Sequence, residues 1–188
     1  AGIIFHEAAK KVAEWVVRCA YEKIPLLFIQ SSPGYMVGSD SEHAGIGKFG
    51  ADMVRAVSCA QVPRIQLVIG PDNGAANYGM CGRGFNPRFL FAWPNAKSAV
   101  MGPAQLAGVL SIVARESAAS MGRPFDEEAD AVQRVAVEEQ IERESHAFFN
   151  SGKVYDDGVI DPRDTRTVLG LALSAVHSNV VEGRRGFG

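Results

Sequence analysis

Cysteine is scarce here and poorly placed for structural work: Cys19, Cys59 and Cys81 are odd in number and none stands in CxxC spacing. That argues against a disulfide framework or a cysteine zinc site, fits a reducing compartment, and predicts three buried thiols. Long apolar runs are also missing. No stretch approaches the roughly 20 residues of a membrane-spanning helix, and the N-terminus lacks a basic-then-apolar signal, so no membrane role is expected. Excess charge of one sign is absent too. Nineteen Lys and Arg against 21 Asp and Glu give a net charge of −2, with the basic residues scattered. This makes no electrostatic case for nucleic acid and points to a small-molecule or protein partner. Histidine is sparse: His6-Glu7 opens no HExxH motif, and His43, His146 and His177 lie far apart, so no metal site is expected. Asp40, Ser41 and His43 stand together without a GxSxG elbow, which leaves a nucleophilic triad unsupported.

What is present is enough for a core. A chain of 188 residues with 47% hydrophobic content reads as one domain. Apolar positions at helical spacing predict a helix over His6 to Glu22, and the run Ile24 to Gln30 predicts a buried strand. Ser31 to Asp40 reads as a loop and Glu42 to Ala60 as a helix. Arg64 to Ile69 is then a strand, Gly74 to Cys81 a helix start, and Arg88 to Trp93 and Ser98 to Met101 short strands. Pro103 to Ser117 and Asp126 to Phe148 follow as helices. The second carries acids at 126, 127, 128, 130, 138, 139, 142 and 144, most simply a solvated face. Asp161-Pro162-Arg163 caps a final helix whose body is Thr165 to Ala175. Strand and helix alternate throughout, which favours an α/β fold. Ala1 to Phe5 begins without methionine and reads as a strand entered midway, which predicts a longer parent protein.

The most informative stretch is Val68 to Arg83, where an apolar strand empties into small residues that open a helix. Glycine and alanine leave the main chain uncovered, so an anionic oxygen can approach the N–H groups at a helix N-terminus. Such a site stabilises a developing oxyanion without a catalytic side chain. Taken alone, the stretch is equally a packed strand-to-helix turn. Gly45-Ile46-Gly47-Lys48-Phe49-Gly50 also matches GxGxxG, but a polar loop separates it from the preceding strand, so small-residue helix packing explains it better than dinucleotide binding.

Several motifs occur in one order: Ile24-Pro25-Leu26-Leu27-Phe28, Gly34-Tyr35-Met36-Val37-Gly38, Asn77-Tyr78-Gly79-Met80-Cys81-Gly82-Arg83, Pro87-Arg88-Phe89-Leu90, Trp93-Pro94-Asn95-Ala96, Val100-Met101-Gly102 and Asp156-Asp157-Gly158-Val159-Ile160-Asp161-Pro162. Together they resemble the carboxyltransferase (β) subunit of biotin-dependent acyl-CoA carboxylases, nearest to the methylcrotonyl-CoA and geranyl-CoA carboxylase branch. The resemblance spans essentially the whole chain, to Gly186-Phe187-Gly188. It implies a crotonase-like (ClpP/crotonase) fold of stacked strand–helix units, and it matches residues 1–188 to the C-terminal carboxyltransferase domain of a two-domain subunit. The N-terminal domain, which does most of the CoA binding, would lie outside this sequence. The active site would then form between subunits of a homo-oligomer, expected to be a hexamer within a larger complex.

The resemblance further implies transfer of a carboxyl group from carboxybiotin, carried on a biotin carboxylase/biotin carrier α subunit, to an acyl-CoA, with a methylcrotonyl-CoA-like substrate favoured. Charge on the ureido oxygen would fall on the amides of Ala75 and Ala76, with Gly74 permitting the turn. Gly34, Tyr35, Met36, Val37 and Gly38 would line the biotin and acyl-CoA channel, although Tyr35 and Met36 read equally well as core. No metal is implied. The compartment would be the cytoplasm of a bacterium or the mitochondrial matrix of a eukaryote. Relatives carry Gly-Gly-Ser-Tyr or Phe-Gly-Ala-Gly where this chain has Gly70-Pro71-Asp72-Asn73-Gly74-Ala75-Ala76, and Asn-Ile-Thr-Gly-Phe where it has Ser31 to Tyr35. These departures cluster at the expected pocket. They leave open an altered acyl group, a catalytically degenerate scaffold subunit, or another crotonase-like acyl-CoA reaction.

Overall fold

A computed structural model describes residues 2–178. Helix α1 (His6–Tyr21) leads to strand β1 (Leu26–Ser32), then helices α2 (Ser39–His43) and α3 (Ile46–Cys59), then strand β2 (Arg64–Asn73) and the short helix α4 (Ala75–Gly79). Strands β3 (Phe89–Ala92) and β4 (Lys97–Ala99) follow, then helices α5 (Pro103–Ser120), α6 (Glu127–Ser145) and α7 (Ala147–Gly152), the two-residue strand β5 (Gly158–Val159) and helix α8 (Thr165–His177). All strand pairs are parallel, in the order β1-β2-β3-β5, with β4 joined to the far end of β2. Parallel neighbours need crossovers, which here run through helices. The expected α/β alternation is therefore the architecture of the chain.

The core lies between α1, α3 and the sheet. Val16 and Cys19 of α1, Leu26 and Phe28 of β1, and Val57 of α3 form its centre with Cys81. Side chains of this size stabilise the fold by about 1.5–3 kcal/mol each when buried. A second cluster joins Val68, Leu90, Ala92 and Ala96 to Ala147 of α7. A third, Ile4, Ala9, Met53 and Ala76, sits under α4.

Several sequence expectations need correction. The helix expected over Glu42 to Ala60 is two helices, broken at Gly45, whose φ of 91° lies in the left-handed region. The acidic helix ends at Ser145, because His146 is extended and bridges Lys97 of β4 before α7 begins. Its solvated character holds: only Ser145 of α6 is buried. Ala1 lies outside the described residues, and the expected first strand reduces to a single bridge between Ile4 and Tyr35. Cys19 and Cys81 are buried, but Cys59 is exposed at the end of α3, so the expectation of three buried thiols fails for one. Pro162 opens a 3-10 turn (Pro162–Asp164) ahead of α8, with the Asp161 side chain accepting from the Arg163 N–H. Residues 179–188, which include the Gly186 to Gly188 end of the resemblance, lie outside the described residues.

The most consequential correction concerns β2. Gly70 and Pro71 suggested that it stops at Ile69; it continues to Asn73. The strand changes partner there, pairing through Val68 with β3 and from Pro71 onward with β4. Its register against β1 also shifts between Gln30 and Ser32, which aligns Ser32 with Asp72. The change of partner and the bulge provide a setting in which a residue without an N–H is tolerated.

Candidate active site

Beyond Asn73 the chain turns through Gly74, at φ 60° and ψ −142°, a conformation that favours glycine. Its N–H donates to the Ala99 carbonyl at 3.0 Å, tying the turn to the end of β4. A Cβ at this position would stand 3.1 Å from the Val100 carbonyl oxygen. Helix α4 then begins at Ala75. The first N–H groups of a helix have no acceptor within it. The Asn77 N–H closes back on the Gly74 carbonyl at 3.1 Å, and among the described residues no hydrogen bond engages the amide of Ala75 or Ala76.

The two alanines are not equivalent. Ala75 is exposed, whereas Ala76 is 0% exposed, packed with Ile4, Ala9 and Met53. The turn therefore presents Ala75 outward and keeps Ala76 beneath it.

The Gly34 to Gly38 segment leaves the C-terminal end of β1, beside the end of β2, so both candidate regions share one edge of the sheet. The Ile4 N–H donates to the Gly34 carbonyl at 3.0 Å and the Met36 N–H to the Ile4 carbonyl at 2.9 Å, which anchors the segment. The Tyr35 ring lies against Gly50 and Gly79, and its hydroxyl points to Met53 Sδ at 3.5 Å. Burial pushes the Tyr35 phenol up to about 12. Tyr35 is thus packed between α3 and α4, Met36 is half-buried, and Val37 is 77% exposed beside Gly38. Ser41, weighed in sequence as a nucleophile, donates instead to the Met36 carbonyl at 3.3 Å.

Behind the turn lies an arrangement that sequence reasoning did not find. Asp72 is 3% exposed, and its carboxyl accepts from Gln30 Nε2 at 2.9 Å, Asn77 Nδ2 at 2.7 Å and Ser98 Oγ at 3.0 Å. Burial raises its pKa from the ordinary value, and the three donors oppose that shift without cancelling it. Hydrogen bonds to a charged group contribute about 1.5–3 kcal/mol each. Removing a carboxylate from water costs several kcal/mol even after relaxation. The available signal was polar residues at inward-facing strand positions, Gln30 in β1 and Asp72 in β2, although Ser32 and Gln66 are buried in the same strands without joining the network.

The family model described as carboxyl transferase domain matches residues 1–185. The chain belongs to that family. This carboxyl transferase domain is 54% identical over its full length to a probable biotin-dependent acyl-coenzyme A carboxylase beta2 subunit of Mycobacterium tuberculosis, covering 35% of that protein. It is 46% identical over 98% of its length to the mitochondrial methylcrotonoyl-CoA carboxylase beta chain of Arabidopsis thaliana, covering 31% of it. In structure it superposes on the beta subunit of geranyl-CoA carboxylase from P. aeruginosa with a TM-score of 0.87 at 38% identity, covering all of this chain and 36% of that one. The crotonase-like assignment therefore stands, and the domain spans about a third of the length of these relatives.

Its described residues contain no group of three or more His, Cys, Asp or Glu side chains able to hold a metal ion. The Gly74–Ala75 turn places the exposed Ala75 at the start of α4, with no hydrogen bond engaging its N–H among the described residues.

Proposed function

We propose that this domain is the biotin-side half of an acyl-CoA carboxylase carboxyltransferase site, with a methylcrotonyl-CoA-like acyl group as favoured substrate. The observation that carries the reading is the helix start at the exposed Ala75, whose amide no hydrogen bond engages among the described residues, set by a left-handed glycine within a family whose relatives are named as biotin-dependent carboxylases. When bound, carboxybiotin from a carrier on a biotin carboxylase partner supplies the carboxyl group and leaves negative charge on its ureido oxygen. The residues of the turn suit such a charge. The Ala75 N–H donates to it from the surface, Gly74 keeps the approach free of a side chain, and the Ala76 N–H lies next in line below. A preorganised donor of this kind contributes about a hundredfold or more in rate. Gly34, Met36, Val37 and Gly38 form the neighbouring wall, with Tyr35 holding that wall against α4.

The same reading makes the acyl-CoA side the work of an N-terminal domain, with the complete site shared between subunits of a homo-oligomer. In support, Val37, Val100 and Ile29 are exposed, and Ile29 lies on the outer face of the edge strand β1. A subunit that serves only in assembly is the second reading, favoured by the burial of Ala76. The deciding experiment is a carboxylation assay on the complete subunit with its biotin-bearing partner, using methylcrotonyl-, geranyl-, propionyl- and acetyl-CoA. Carboxyl transfer to one of them, methylcrotonyl-CoA first, supports the reading; no transfer by an intact complex supports the scaffold.

A further inference from the structure

The Asp72 carboxyl touches both flanks of the turn that carries the proposed donor. Oδ2 alone accepts from Asn77 Nδ2 at 2.7 Å and from Ser98 Oγ at 3.0 Å, while Oδ1 accepts from Gln30 Nε2 at 2.9 Å. Asn77 stands in α4, two residues past Ala75, and its N–H binds the Gly74 carbonyl. Ser98 stands in β4, one residue before the Ala99 carbonyl that receives the Gly74 N–H. Gln30 fixes the same carboxyl to β1. One buried group thus joins the strand before the turn, the strand that holds it and the helix that follows it.

We infer that Asp72 is a positioning residue, fixing the orientation of the Gly74–Ala75–Ala76 main chain through Asn77 and Ser98. This rests on the proposed function for its catalytic consequence and on the three hydrogen bonds for its geometry. An ionised or neutral carboxyl can hold Asn77 and Ser98 on one oxygen; the carboxylate accepts all three donors as found. The other titratable groups lining the adjoining cavity of about 190 Å³ are Arg83, Tyr155 and Asp156, and Arg83 is engaged by Asp157. An approach geometry lost by about 1 Å costs on the order of a hundredfold in rate.

The test uses the complete subunit assembled with its biotin-bearing partner. Asp72→Leu removes the acceptor at similar volume; Asp72→Asn keeps one oxygen for Asn77 and Ser98, and Gln30, whose Oε1 is buried without a partner among the described residues, can turn its amide over to meet the new NH2. The expected result for Asp72→Leu is a kcat lower by about ten- to a hundredfold with KM for acyl-CoA unchanged within about twofold, and faster amide hydrogen exchange at residues 74–77. Asp72→Asn restores both readouts to within about threefold. Should Asp72→Leu fail to assemble, the double variant Asn77→Ala with Ser98→Ala removes both Oδ2 partners, and the same slowing and faster exchange are expected. Wild-type kcat or wild-type exchange in an assembled variant lacking these contacts overturns the inference. A wild-type complex that transfers no carboxyl group overturns the proposed function instead, and the exchange measurement still decides the positioning role.

Discussion

Arg83 Nη1 lies 3.3 Å from both carboxylate oxygens of Asp157, 74 residues further along the chain. The contact joins the Asn77 to Arg83 motif to the Asp156 to Pro162 motif. Asp157 does more than pair: its carboxylate accepts from the Leu90 N–H at 2.8 Å, and its own N–H donates to the Leu90 carbonyl at 2.7 Å. The ion pair is part-exposed, and such pairs contribute about 0–1 kcal/mol. The bond to the Leu90 N–H, charge-assisted and half-buried, is worth about 1.5–3 kcal/mol. Asp157→Ala is therefore expected to destabilise the domain more than Arg83→Met does. Urea denaturation of the two variants checks this; equal losses contradict it.

The raised pKa of Asp72 has a consequence for stability. Folding takes the carboxyl above its ordinary value, so the ionised form opposes folding. That opposition is present at neutral pH and disappears as pH falls through the folded value towards the ordinary one. Asp72→Asn, neutral at every pH, should melt higher than wild type near pH 7, and the gap should shrink towards about pH 4. Melting curves at the two pH values measure it. A difference independent of pH contradicts the assignment of burial as the dominant cause.

Gly82 supplies an independent probe of the same clamp. Its φ is −62°, open to any residue, but a Cβ there would run into the side-chain amide of Asn77. Asn77 is held by Asp72 and is not free to yield without cost. Gly82→Ala should cost about 1–3 kcal/mol of stability by overpacking. It should also lower kcat by about tenfold through displacement of α4. An alanine variant with wild-type stability and rate would show that Asn77 moves aside freely.

Much of this molecule was legible in sequence, and the reasons for the remainder are physical. Residues 64–69 read as a strand because their apolar run needs no context, and Gly74 to Cys81 read as a helix start because small residues follow a strand. The extension of β2 through Pro71 was hidden, since it depends on β4 taking over from β3 as partner, and no local pattern encodes a change of neighbour. The break at His146 was hidden for the same reason: the contact with Lys97 is made across the fold. The turn itself was found from its glycine and alanines. The unequal exposure of Ala75 and Ala76 was not, because it is set by Ile4, Ala9 and Met53, which sequence scatters over three segments. Asp72 looked like a departure from the family pattern and lies at the centre of a buried network.

The central claim is that the main chain at Ala75 carries the chemistry, and a pair of substitutions there tests it most directly. Ala75 is the first residue of α4, where proline fits the helix and removes only an N–H that no other described residue accepts. Ala76→Pro would also remove an N–H, but at a fully buried position, so its effect on packing would confound the result. The measurement is the rate of carboxyl transfer from the biotin-bearing partner to acyl-CoA in the assembled complex, with assembly size and circular dichroism confirming the fold. Ala75→Gly is expected to transfer within a few-fold of wild type, and Ala75→Pro to fall by about a hundredfold or more. A correctly assembled Ala75→Pro enzyme that transfers at a near-normal rate would contradict the account and place the stabilising donor elsewhere.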